Sequence, residues 1–206
     1  MLFRSIGGQV FAGATRQLVI ASGYNTSIFY GDVVKLASTG TIQKDTGTTT
    51  ATPVGVFLGC SYVNAQGQTI FAQYFPANTT APTGTVITAY VADDPDQLYK
   101  ACLVAGTTAD DTTSGLLPAY LGRTMIGSNA QLVQNTGSTV TGDSKIGVYT
   151  DGNTGTATLP IRIVDVVPDT ANSSGNFCEL IVKWNAPNVT GQTVAGGHQY
   201  LNPTGV

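Results

Sequence analysis

The chain has 206 residues with a formal net charge of -3 at pH 7, and charged residues make up 10% of it. That share is less than half of the roughly 25% usual in globular proteins. With 31 threonines, 25 glycines and a single glutamate, the sequence lacks the helix formers that a helical bundle, a coiled coil or a doubly wound fold needs. The nine basic residues are scattered singly, which argues against a nucleic-acid-binding stripe.

The beginning of the chain shows no clear periodicity. Gly7, Gly8 and Gln9 interrupt any apolar core that a signal peptide would need, so we expect no secretion signal. No apolar run approaches the roughly 20 residues of a membrane-spanning helix. The sequence therefore predicts an irregular N-terminal arm at residues 1–15, followed by a β-structured body at 16–206, with no membrane partner.

From residue 17 the chain alternates between short β-type runs and turn-forming residues. In the first half, the predicted strands cover residues 17–21, 27–30, 33–36, 53–62, 69–75, 85–92 and 97–104. The Thr-rich stretch 40–53 is polar and predicts an exposed loop. Within 53–62, alternation predicts one core-facing set made of Val54, Val56, Leu58, Cys60 and Tyr62. Gly55 and Gly59 lie opposite, which indicates that another chain segment packs closely there.

The polar stretch 105–115 is the best candidate for a division of the body into two β subdomains. Beyond it, strands are predicted at 145–150, 156–168 and 176–185. In the last of these, Cys178, Leu180, Val182 and Trp184 share one face. The whole pattern predicts an all-β fold of about ten to twelve short strands, as a sandwich or barrel. Both a jelly-roll-like arrangement and paired small β-domains fit this pattern.

Residues with catalytic or metal-binding potential are few. His198 is the single histidine, and no Gly-x-Ser-x-Gly motif accompanies it, so we expect a structural or surface role. The three cysteines are Cys60, Cys102 and Cys178. They are widely spaced and form neither a CxxC pair nor a disulfide framework, so the sequence predicts buried free thiols. We therefore expect no enzyme activity, no catalytic residues and no cofactor.

The acidic cluster Asp93, Asp94 and Asp96 surrounds Pro95. Three carboxylates so close together could hold Ca²⁺, or two could act as the acid and nucleophile of a glycosidase. Asp before Pro is a strong turn former, and no second group of carboxylates is identifiable, so the sequence favours a turn and no metal site. The pair at 110–111 predicts a solvated loop for the same reasons.

Four segments of the first half resemble a family of tailed-bacteriophage virion proteins, the capsid decoration or cement proteins. They are YNTSIFYGDVVKL at 24–36, GVFLGCSY at 55–62, FAQYFPA at 71–77 and AYVADDP at 89–95. Phe75 stands where the pattern has Trp, and the C-terminal half matches loosely, in its strands and in Asn-x-x-Gly at 202–205.

The resemblance implies a non-enzymatic protein, made in the bacterial cytoplasm, that binds the outside of a phage head. Its partners would be the major capsid protein of the same phage and further copies of itself, most simply as a homotrimer. A sparsely charged chain agrees with this expectation, because such a surface needs to be covered. A tail-tube or fibre subunit and a carbohydrate-binding β-module are the alternatives.

Overall fold

The computed structural model describes residues 4–5, 15–104, 125–149, 158–170, 178–186, 188–190 and 193–202. These residues form fourteen short strands and two single-turn 3-10 helices, Pro168–Thr170 and Gln199–Leu201. The all-β prediction is confirmed. The strands are β1 (Arg4–Ser5), β2 (Arg16–Ile20), β3 (Val33–Leu36), β4 (Ile42–Lys44), β5 (Gly55–Val63), β6 (Thr69–Ala72), β7 (Ile87–Ala92), β8 (Tyr99–Cys102), β9 (Asn129–Val133), β10 (Gly147–Tyr149), β11 (Ile161–Val166), β12 (Glu179–Trp184), β13 (Asn188–Thr190) and β14 (Thr193–Ala195).

The first sheet contains the strands β2 to β7. Their order is β3-β4-β2-β7-β5-β6, and β3 also pairs with β5. This extra pairing joins five strands into a ring, to which β6 is attached as an outer hairpin strand. All neighbours are antiparallel except β2 and β4, which are parallel. The ring encloses an apolar cluster that includes Ile28, Phe57 and Phe75.

The second sheet has the order β1-β8-β12-β11-β9-β10. Just after β8 ends, Leu103 forms a bridge with Val148 of β10, so this sheet also curls towards itself. Strands β13 and β14 form a separate hairpin. Trp184, Tyr99 and Leu132 belong to the apolar cluster of this sheet, and Val33 and Val56 of the first sheet complete it. The two sheets therefore pack against each other through a shared core.

The alternation predicted for residues 53–62 fails in the middle of β5. The register with β7 shifts between Phe57 and Gly59, which marks a β-bulge. Val56 therefore belongs to the apolar cluster of the second sheet, whereas Phe57 and Cys60 belong to the apolar cluster inside the ring of the first sheet. The prediction of one continuous core-facing set was wrong, because a single extra residue moves every later side chain to the opposite face.

The close approach predicted at the two glycines is confirmed. A β-carbon on Gly55 would lie 2.2 Å from the carbonyl oxygen of Ala92, and one on Gly59 would lie 3.0 Å from that of Ala72. Gly59 also has a φ of 135°, which strongly favours glycine. The alternation predicted for 176–185 is confirmed as well, since Cys178 to Trp184 contribute every second side chain to the core.

The stretch 40–53 is not the exposed loop that its composition predicts. It contains β4, and both Asp45 and Ala51 are buried. One carboxylate oxygen of Asp45 accepts the backbone N–H of Gly47, and the other accepts that of Thr52. A polar sequence folds inward here because one buried side chain satisfies the backbone donors of the turn.

The chain passes from the first sheet to the second between Ala92 and Tyr99, where β7 ends and β8 begins. The candidate division at 105–115 lies outside the described residues. Of the predicted arm at 1–15, the structure describes Arg4–Ser5 and residue 15. Arg4–Ser5 forms β1, whose backbone pairs with that of Lys100 and Tyr99 in β8.

Candidate interaction surface

The outward face of the first sheet carries no charged side chain along four adjacent strands. Phe71 of β6 lies opposite Ser61 of β5, Ser61 lies opposite Thr88 of β7, and Thr88 lies opposite Val19 of β2. Directly paired residues share a face. We call this surface the neutral face and define it by nine residues: Gln17, Val19, Ser61, Val63, Thr69, Phe71, Val86, Thr88 and Tyr90.

Three apolar side chains of the neutral face are open to solvent. Phe71 is 77% exposed, Val86 is 61% exposed and Val19 is 41% exposed. The polar groups between them are partly paired with each other, since the hydroxyls of Ser61 and Tyr90 lie 3.1 Å apart. An exposed apolar surface without charge is typical of a contact site for another protein.

Strand β6 forms the outer edge of this face. It pairs with β5 on one side, and within the described residues no strand pairs with its other side. Its residues, Thr69 to Ala72, include neither a charged residue nor a proline, which are the usual protections of a free edge. The edge is therefore chemically able to accept a strand from another chain.

His198 is fully buried between the two sheets, not on the surface. Its Nδ1 accepts the backbone N–H of Tyr200 at 3.2 Å, and its ring lies 6.4 Å from that of Trp184. Burial lowers the pKa of His198, and the nearby carboxylates of Asp93 and Asp94 act in the opposite direction. This imidazole packs within the fold and helps to fix the C-terminal segment.

The C-terminal segment around His198 connects the two sheets. The side-chain amide of Gln199 accepts the backbone N–H of Leu36 at 2.7 Å and donates to the carbonyl of Leu36 at 3.1 Å. The backbone N–H of Gln199 donates to Pro53, and that of His198 donates to Asn185. Gln199 thus satisfies the backbone N–H and the carbonyl of Leu36 at the end of β3.

The acidic cluster forms a turn whose carboxylates have separate roles. The backbone N–H of Asp96 donates to the side chain of Asp94, as in an Asx turn. Asp93 pairs with Arg16 and accepts the hydroxyl of Tyr200 at 3.0 Å. Across the described part of the chain, no three His, Cys, Asp or Glu side chains converge in a way that could hold a metal ion. The pair at 110–111 lies outside the described residues.

The three cysteines are buried and unpaired, as their spacing predicts. Burial raises the pKa of Cys60 to about 12 and that of Cys102 to about 11. Thiols with such values are almost entirely protonated at neutral pH and are poor nucleophiles.

A buried ion pair that no sequence pattern indicates lies beside the apolar cluster of the first sheet. Asp32 is fully buried and lies 3.0 Å from the ammonium of Lys44. It also accepts the backbone N–H of Phe29 and the hydroxyl of Ser144, at 2.9 and 2.6 Å. Because Ser144 lies between β9 and β10, this carboxylate ties the first sheet to the second.

No protein-family model, curated protein or solved structure matches this chain. Among the residues that the structure covers, no helix is long and apolar enough to span a membrane.

Proposed function

We propose that this protein is a virion structural protein that decorates the outside of a tailed-bacteriophage head. The observation that carries the proposal is the neutral face, with Phe71 exposed on its outer strand β6 and the free edge of that strand beside it. The resemblance of the four segments between residues 24 and 95 to decoration proteins supports it. The neutral face then contacts the major capsid protein of the same phage.

Such a protein would stabilise the shell because its binding is linked to the state of the shell. A protein that binds the mature shell and not its precursor stabilises the mature shell by mass action. Many copies on one lattice, each a homotrimer that touches several capsid subunits, add avidity to weak individual contacts. A contact surface built from Phe71, Val86 and Val19 relies on apolar burial and is therefore only weakly sensitive to salt.

The test is binding to purified heads of the encoding phage that lack this protein. We expect the wild-type chain to sediment with the heads and to saturate at a fixed copy number. Phe71→Ser should weaken binding, because it removes a large apolar contact, while the melting temperature stays unchanged. Val140→Ser is the matched control, since Val140 is 93% exposed and lies outside the neutral face.

Equal loss of binding in both variants, or no binding by the wild type, would contradict the proposal. Cryo-electron microscopy of the virion separates it from the alternative of a tail-tube or fibre subunit by the location of the chain. The alternative of a carbohydrate-binding module that stacks sugars on exposed tryptophan has less support, because Trp184, the single tryptophan, is 1% exposed.

A further inference from the structure

A cleft of about 320 Å³ opens on the outward face of the second sheet. Arg162 of β11 and Lys183 of β12 line it, and these two residues lie directly opposite each other in the antiparallel pair. Opposed residues have their β-carbons about 5 Å apart, and two like charges in this position repel. In a chain with nine basic residues, the fold has placed two of them side by side.

The two cations are incompletely neutralised. Lys183 has one carboxylate partner, Asp96, at 3.4 Å, and the side chain of Asp96 is 80% exposed. Among the described residues no carboxylate forms an ion pair with Arg162. Its Nε donates to the side-chain oxygen of Asn129 at 2.6 Å, which holds the guanidinium while its two terminal nitrogens stay available.

The remaining walls of the cleft suit a small ring. Pro95 and Leu201 contribute apolar surface, whereas the indole of Trp184 is buried in the core on the inner side of β12. The volume lies at the lower end of the range for small-molecule sites. The planar fork of an arginine matches a carboxylate better than it matches a spherical anion, and a lysine adds a second point charge.

We propose that this cleft binds the carboxylate of a sugar-sized organic acid, with a hexuronic acid as the representative ligand. Arg162 receives the carboxylate through its terminal nitrogens, Lys183 provides the second charge, and Pro95 and Leu201 contact the ring. The exposed side chain of Asp96 moves away from Lys183 when the ligand enters. The inference does not depend on the proposed role in a phage head.

Trp184 serves as an indirect reporter, because it is the single tryptophan of the chain and follows Lys183 in β12, with its indole on the core side. Its fluorescence is followed while glucuronate is added at constant ionic strength, with glucose as the parallel titration. Ligand-detected saturation-transfer NMR provides a second measurement. We expect saturable binding of glucuronate and markedly weaker binding of glucose, which lacks the carboxylate.

Variants decide the role of each charge. Arg162→Gln should lower the affinity about tenfold or more, as expected for a lost charge-assisted hydrogen bond. Lys183→Gln should lower it as well, and it serves as the second variant if Arg162→Gln does not fold. Lys145→Gln is the matched control, since Lys145 is exposed and does not line the cleft.

Asp96→Asn gives the sharpest distinction. Removing the competing carboxylate should raise the affinity for glucuronate, whereas it would lower the affinity if the acidic turn held a bridging cation. A lower affinity in Asp96→Asn would therefore overturn the proposal. So would equal binding of glucose, an unchanged affinity in Arg162→Gln, or the absence of glucuronate binding in both measurements.

Discussion

Replacing Asp32 with alanine tests whether the buried ion pair holds the two sheets together. The substitution removes the counter-ion of Lys44, whose side chain is 10% exposed. It also leaves the backbone N–H of Phe29 and the hydroxyl of Ser144 without their acceptor. The variant therefore has a buried, uncompensated ammonium group and two unsatisfied donors.

The expected cost follows from these contacts. Breaking one partner of a buried pair costs about 3–5 kcal/mol, mainly because the remaining charge stays desolvated. Such a loss is a large part of the roughly 5–15 kcal/mol that stabilises a typical domain. The double variant Asp32→Ala/Lys44→Met removes the unpaired charge but still leaves the two donors without an acceptor, so part of the loss should be recovered.

The measurement is urea unfolding at pH 7, followed by circular dichroism and extrapolated linearly to water. Asp96→Ala is the matched control, because its ion pair with Lys183 is exposed and its loss should change the stability by about 0.5 kcal/mol or less. If Asp32→Ala lost no more than this control, or if the double variant were no more stable than Asp32→Ala, the reasoning would be refuted.

Three further outcomes are expected. Gly55→Ala should destabilise the fold by about 1–3 kcal/mol in urea unfolding, because its β-carbon would collide with the carbonyl of Ala92. Burial lowers the pKa of His198, so the unfolded chain takes up a proton before the folded chain does as the pH decreases. The free energy of unfolding should therefore decrease at pH values below about 6.5, and His198→Gln should flatten the pH dependence of the urea midpoint. Cys60 and Cys102 should react with a thiol reagent only after urea unfolds the chain; rapid reaction of the native protein would contradict their burial.

Local sequence features determined the fold class and several details of the strands. High threonine and glycine content with scarce helix formers predicted an all-β protein, since strand preference depends on residue type. The core-facing side of β12, the buried free cysteines and the close packing at Gly55 were also readable from the sequence. Each of these depends on a residue and its near neighbours along the chain.

Tertiary structure alone decided which distant residues meet. Asp32 and Ser144 are 112 positions apart, and no local pattern indicates that they share a hydrogen bond. The bulge near Gly59 moved later residues of β5 to the other face, although their alternation in the sequence is regular. The neutral face and the cleft at Arg162 and Lys183 arise in the same way. Strand order and register place side chains together, and both depend on long-range pairing that single-sequence periodicity does not contain.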